Sequence, residues 1–403
     1  MIGNWDFIKM KNYQATMRAC FTGYVVQAVI NNLVPLLFLT FQREYQIPLS
    51  QITLLITLNF GLQLLVDFAS AFFIDKIGYR TAVVLALFFS AGGLLALTVF
   101  PSIFPNAFAG ILAAVLLYAL GGGLLEVLIS PIVESCPTDN KEKAMSMLHS
   151  FYCWGSVGVI ILSTAFFACF GTAQWKVLTA LWSLLPLANA FVFTRVPIAP
   201  LIQDGETSLS IRALTGQKIF WVMLLLMFTA GACEQAVSQW ASTFAEAGLG
   251  ITKALGDLAG PAFFAFLMGV SRTIFGKFGE KIDLKRFMLF SGILCAASYL
   301  LIVFSPLPVF SLLGFGVCGL SVGILWPGTF SIASAAIRRG GTALFAFLAL
   351  AGDLGCLSGP SLVGFVSSAY QNNLRAGILV AIIFPLLLIM CVGRMYAKSR
   401  RTK

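Results

Sequence analysis

Four acids, Asp67, Glu126, Glu234 and Asp353, stand inside long apolar runs of this sequence, where a charge needs a chemical reason. A carboxylate near the middle of a bilayer costs at least about 2.5 to 3.5 kcal/mol, so such a group is kept where a cavity, a partner or an exchangeable proton offsets that cost. The one histidine, His149, lies in the apolar run after the one that holds Glu126. A carboxyl and an imidazole at similar depth can pass a proton, because histidine titrates near neutrality; they can equally hydrogen-bond and staple two helices together. Amides form a second constellation. Gln27 and Asn31 are four apart, hence on one helical face, and Glu234, Gln235, Ser238 and Gln239 make a similar polar face that ends at Trp240. Amides both donate and accept, which suits a ligand covered in hydroxyls, and an indole is a flat apolar platform for a sugar ring. The competing explanation is interhelical hydrogen bonding, a common use of Gln and Asn in membranes. Trp326 is a further candidate platform.

Other chemistries lack their residues. GFGVCG at 314–319 resembles a nucleotide loop only in its glycines, with no strand before it and no GK[ST] after it. Nine cysteines give no CxxC pair, and most lie in apolar runs as small hydrophobes. No nucleophile elbow or metal-ligand cluster is present, so no enzyme, cofactor or metal is expected beyond a coupling H+ or Na+ ion.

Hydrophobic residues make up 59% of the 403 positions and charged residues 10%, which leaves lipid as the solvent. The runs predict an all-α membrane protein with spans at about 14–41, 51–74, 80–101, 107–134, 143–170, 173–195, 218–246, 256–279, 286–304, 308–336, 342–368 and 374–396. All of the Lys and Arg except Arg43, Lys176, Lys253 and Arg375 then fall on one side. That pattern speaks against nucleic acid as a partner and puts both termini in the cytoplasm. No removable signal peptide is read at the N-terminus. The polar stretch 197–217 divides a bundle at 1–196 from one at 218–403, and the two repeat each other. Gly23–Asn32 reads GYVVQAVINN and Gly231–Trp240 reads GACEQAVSQW; Gly123 and Pro131 have the spacing of Gly319 and Pro327. Tandem copies of six helices are a transporter layout.

Asp75-Lys76-Ile77-Gly78-Tyr79-Arg80 resembles the back half of the loop that marks the major facilitator superfamily, with Ala71 where that motif has Gly. GGGLLEVLISPIVES followed by AMSMLHSFYCWGSVG resembles the fucose permease and sodium-glucose transporter-like group. The Pro of the helix-five antiporter signature is missing from Gly155-Ser156-Val157-Gly158. This resemblance implies two six-helix bundles working by alternating access and cation-coupled symport of a sugar or polyol. Gln27, Asn31, Glu234, Gln235, Gln239, Trp240, Tyr152 and Trp326 would bind substrate. Glu126, where the resembling permeases keep a proton-exchanging Glu, would be the protonation or ion-coupling centre together with His149, and a sodium site made by Asp353 or Glu234 is the alternative. Asp67, Asp75, Arg80 and Arg272 would gate or brace the cycle. The expected setting is a monomer in a plasma membrane, the bacterial inner membrane, with lipid and a small-molecule substrate as its partners. An exporter or antiporter of another organic solute is the alternative, and a membrane enzyme or sensor a remote one.

Overall fold

The computed structural model describes residues 4–137, 141–198, 209–278, 283–337 and 340–401; of the side chains within those ranges, those of 4–12, 71–73, 75, 76, 134, 141–143, 145, 146, 276–278, 334, 341–343, 345 and 398–401 are outside the description. Every described element is helical. Twelve spans among the described residues are long and apolar enough to cross a membrane. They are α1 (Tyr13–Tyr45), α2 (Leu49–Ser70), α3 (Tyr79–Ile103), α4 (Ala107–Val133), α5 (Met147–Phe170), α6 (Thr172–Phe193), α7 (Lys218–Gly248), α8 (Lys253–Phe275), α9 (Leu284–Phe304), α10 (Pro308–Ala333), α11 (Ala346–Ala369) and α12 (Leu374–Ala397).

Helices over apolar runs of this length close nearly all of their backbone hydrogen bonds internally, the condition for crossing hydrocarbon. Large side chains such as Leu65, Phe88, Leu162, Phe191, Phe290 and Met390 point outward, as lipid-facing positions should. Punctuation is local. Asn106, Asp283 and Asn373 cap the starts of α4, α9 and α12 by accepting backbone N–H bonds. Gly78 and Gly171 take φ of +82° and +81° in the tight turns before α3 and α6, a conformation that a β-carbon disfavours. Pro35 opens a 3-10 turn, Pro35–Leu37, that interrupts α1. Near Pro261, which has no N–H to give, α8 widens into π-helix over Leu258–Ala262.

The chain clusters into two compact units, one of residues 1–47 and 61–204, the other of residues 48–60 and 205–403. Within the first, α1 packs on α5, and α3 on both α4 and α6. Within the second, α7 packs on α11, and α9 on both α10 and α12. Adding six to each helix number of the first set gives the second, so the sequence repeat is also a packing repeat. The first turns of α2 belong to the second unit. There Thr57 and Ser361 share a 2.6 Å hydroxyl hydrogen bond, and Gly364 lets Thr53 and the Trp240 ring come close.

Candidate functional site

The first unit holds a chain of amides. Gln27 on α1 is 4% exposed and Gln63 on α2 is 2% exposed. Gln27 Nε2 donates to Gln63 Oε1 at 3.1 Å and to Glu126 Oε2 on α4 at 3.3 Å, which uses both of its N–H groups. Gln63 Nε2 donates to Asn31 Oδ1 at 3.4 Å, and Asn31 Nδ2 donates to the Tyr152 hydroxyl on α5 at 3.5 Å. Gln27 Oε1 is buried with no hydrogen-bond partner among the described residues. Such an oxygen costs about 1 to 3 kcal/mol, which a hydroxyl donor from a ligand would recover. Room for the chain comes from α4, because a β-carbon on Gly122 would stand only 3.2 Å from Gln63 Oε1 and 3.4 Å from Gln27 Oε1.

His149 on α5 stands edge-on to Tyr24, the ring centroids 5.4 Å apart. The Tyr24 hydroxyl shares a 2.9 Å hydrogen bond with Ser130, one turn beyond Glu126 on α4. Asn32 donates to Ser156 at 3.1 Å, a second polar tie between α1 and α5. Asp67 is half-buried on α2, its carbonyl accepting from Ser70 at 2.6 Å. Arg80 donates to the carbonyl of Phe193 at the end of α6, 2.6 Å away. The side chain of Asp75 lies outside the described residues.

In the second unit Arg272 and Glu234 form a buried ion pair. Arg272 on α8 donates to Glu234 Oε2 on α7 at 3.1 Å and to the Gly323 carbonyl on α10 at 3.3 Å. Arg272, expected at a gate or in a brace, therefore binds Glu234, and Glu234, expected to meet substrate, serves an ion pair. Two opposite charges buried in one bundle stabilise each other more than either could alone in hydrocarbon. Beside them Gln235 donates to Glu234 at 3.4 Å, and Gln239 and Ser238 donate to Gln235 Oε1 at 3.0 and 3.2 Å. Trp240 is fully buried and gives its indole N–H to the Pro360 carbonyl at 3.0 Å, so a sugar platform would need that ring uncovered. Asp353 is buried on α11, and the ring of Trp326 packs against the neighbouring Gly352.

Two residues were not among the candidates. Gln63 is the middle link of the amide chain; its signal was an amide in the apolar run of α2, four residues before Asp67. Asp257 is 1% exposed, paired with Lys253 at 3.0 Å and hydrogen-bonded to Ser242. It sits at the very edge of the span expected for α8, where an acid looks like a loop residue.

Chemically, the first unit offers a chain of amide donors and acceptors bonded to one carboxyl, and the second an ion pair set among amides. No curated protein matches the chain. Among solved structures the fucose:proton symporter of E. coli aligns over 95% of this chain and 98% of its own, at 14% identity and a TM-score of 0.65. A bacterial homolog of the human lysosomal transporter Spinster, inward-facing and unoccupied, aligns over 94% and 96% at 12% identity and a TM-score of 0.74. The same homolog in its occupied state gives 97% of both chains, 12% and 0.73. At these identities the likeness is one of fold. The sequence model of the Major Facilitator Superfamily matches residues 19–360. With that match spanning most of twelve membrane-crossing helices, the chain belongs to the Major Facilitator Superfamily, a family of multi-pass membrane transporters.

Proposed function

We propose that the protein is a symporter of a small, neutral, hydroxyl-rich solute, a sugar or polyol, driven by a proton that Glu126 carries. The observation that carries this reading is the amide chain of Gln27, Gln63 and Asn31, bonded to Glu126 and holding one buried oxygen without a donor. The cations Arg272 and Lys253 are already engaged by Glu234 and Asp257, which favours a neutral solute over an anionic one that would need them. The fold neighbour that carries fucose with a proton points the same way. We place the protein in a cell membrane with both termini cytoplasmic.

Glu126→Gln tests the assignment. The variant keeps the size of the side chain and fixes it in a neutral, protonated-like state. Exchange of labelled sugar across proteoliposomes in counterflow should persist, because that cycle need not release the proton. Accumulation of the sugar against its gradient should be lost. Active, pH-driven accumulation by Glu126→Gln would overturn the proton assignment, and a sodium requirement in the unmodified protein would move the coupling site to Asp353.

A further inference from the structure

We propose that Gln63 is a positioning residue that transmits the protonation state of Glu126 to Tyr152 by reversing the direction of the amide chain. The inference rests on Glu126 as the proton carrier and adds how that proton is felt by the solute site.

The chain has one polarity. Each amide gives its N–H to the next oxygen, from Gln27 to Gln63, from Gln63 to Asn31 and from Asn31 to the Tyr152 hydroxyl. Gln27 can start it because its second N–H goes to Glu126, which as a carboxylate only accepts. When Glu126 takes up one proton it gains an O–H that must donate. The acceptor beside it is the amide of Gln27, whose Oε1 now has no donor. Rotation of that amide turns Oε1 toward the new O–H and toward Gln63. Two oxygens would then face each other unless Gln63 also rotates and offers its Nε2. Asn31 must follow for the same reason, and Tyr152 then turns its proton to Asn31 Oδ1 instead of receiving one. No bond is made beyond the carboxyl O–H, and no other proton leaves its atom. Three of the four spacings, 3.3 to 3.5 Å, are long for such bonds, which makes their exchange cheap.

The rotation also changes what the site presents. Where Gln27 Oε1 stands buried and unmet, the reversed chain puts an amino group that only an oxygen can satisfy. The proton on Glu126 therefore switches the demand on the solute at this position from a donated hydrogen to an accepting oxygen, and a solute group that meets the two unequally is coupled to the proton. Other titratable groups on the surrounding helices are Tyr13, Arg18, Cys20, Tyr24, Arg43, Glu44 and Tyr45 of α1, Asp67 of α2, Tyr79 and Arg80 at the start of α3, Tyr118 of α4, and His149, Cys153 and Cys169 of α5; Arg80 is held by the Phe193 carbonyl. The relay itself runs through the bonds from Glu126 to Gln27, Gln63, Asn31 and Tyr152.

Infrared difference spectroscopy of the protein in lipid nanodiscs, on stepping from alkaline to acidic buffer, reads both ends at once. The unmodified protein should gain a carboxylic acid C=O band that is absent from Glu126→Gln, and with it a tyrosine band that is absent from Tyr152→Phe. Gln63→Met fills the same space without hydrogen bonds and should keep the first band while losing the second. Asn31→Leu cuts the next link and should do the same, so the test does not hang on one variant. A tyrosine band that survives either cut, or a carboxyl band in the unmodified protein with no tyrosine band, overturns the relay and leaves Glu126 as carrier. Absence of the Glu126 band from the unmodified protein overturns both readings.

Discussion

Arg272 joins three helices of the second unit, because it ties α8 to Glu234 on α7 and to Gly323 on α10. Arg272→Met removes one partner of a buried ion pair and leaves the other, a loss of about 3 to 5 kcal/mol. Pairing it with Glu234→Gln removes the leftover charge as well, and most of the stability should return. Unfolding in detergent micelles measures both; a double variant as unstable as the single one would show that the pair is not what holds these helices. This bond also marks how far residue types alone could lead. A charge inside an apolar run is visible without coordinates, and so were Glu126, Glu234 and Arg272. Which charge meets which was hidden, because Glu234 and Arg272 are far apart in sequence and their pairing depends on how α7 and α8 lie together. Trp240 is the reverse case. Its polar neighbours made it look like a ligand platform, whereas the glycine at Gly364 brings Thr53 close and buries its ring.

Between helices the controlling feature is how closely two backbones approach. A β-carbon on Gly123 of α4 would fall 3.0 Å from Gln63 Cα, Gln63 O and Val66 Cβ of α2. Two of these are backbone atoms that no rotamer change can move, so Gly123→Ala should push α2 away and cost about 1 to 3 kcal/mol as overpacking. Gly92→Ala on α3 is the control. Its nearest neighbour is the end of Leu117 at 3.8 Å, and alanine is the better helix former by about 1 kcal/mol, so this variant should be neutral or slightly stabilised. Equal destabilisation of both in thermal unfolding would refute the close-approach explanation. Helix number and rough limits were legible because the runs are long and apolar. The interruptions were not. The π-helical segments Phe244–Gly248 and Leu258–Ala262 bring the end of α7 and the start of α8 together around Ser242, Asp257 and Lys253, and an apolar run carries no mark of a widened turn. Pro261 was the available hint.

For the whole molecule, the repeat of GYVVQAVINN in GACEQAVSQW extends to the packing, where α1 on α5 becomes α7 on α11. An even number of spans puts the two ends of the chain on the same side of the membrane. Lys and Arg predict which side, since they crowd the loops before α3, before α5 and before α9 as well as the C-terminal tail, and the positive-inside rule assigns such loops to the cytoplasm. The prediction is tested with an impermeant thiol reagent. Cys169, the one exposed cysteine among the described residues, is first replaced by Ser to lower the background. Ser208→Cys, in the stretch 199–208 outside the described residues, should then react in inverted vesicles and stay unlabelled in intact cells. Gln371→Cys, in the exposed turn between α11 and α12, should show the opposite pattern. Labelling of both sites from the same side would break the helix count between them, and labelling of each from the wrong side would invert the molecule and, with it, the direction in which Glu126 must release its proton to drive uptake.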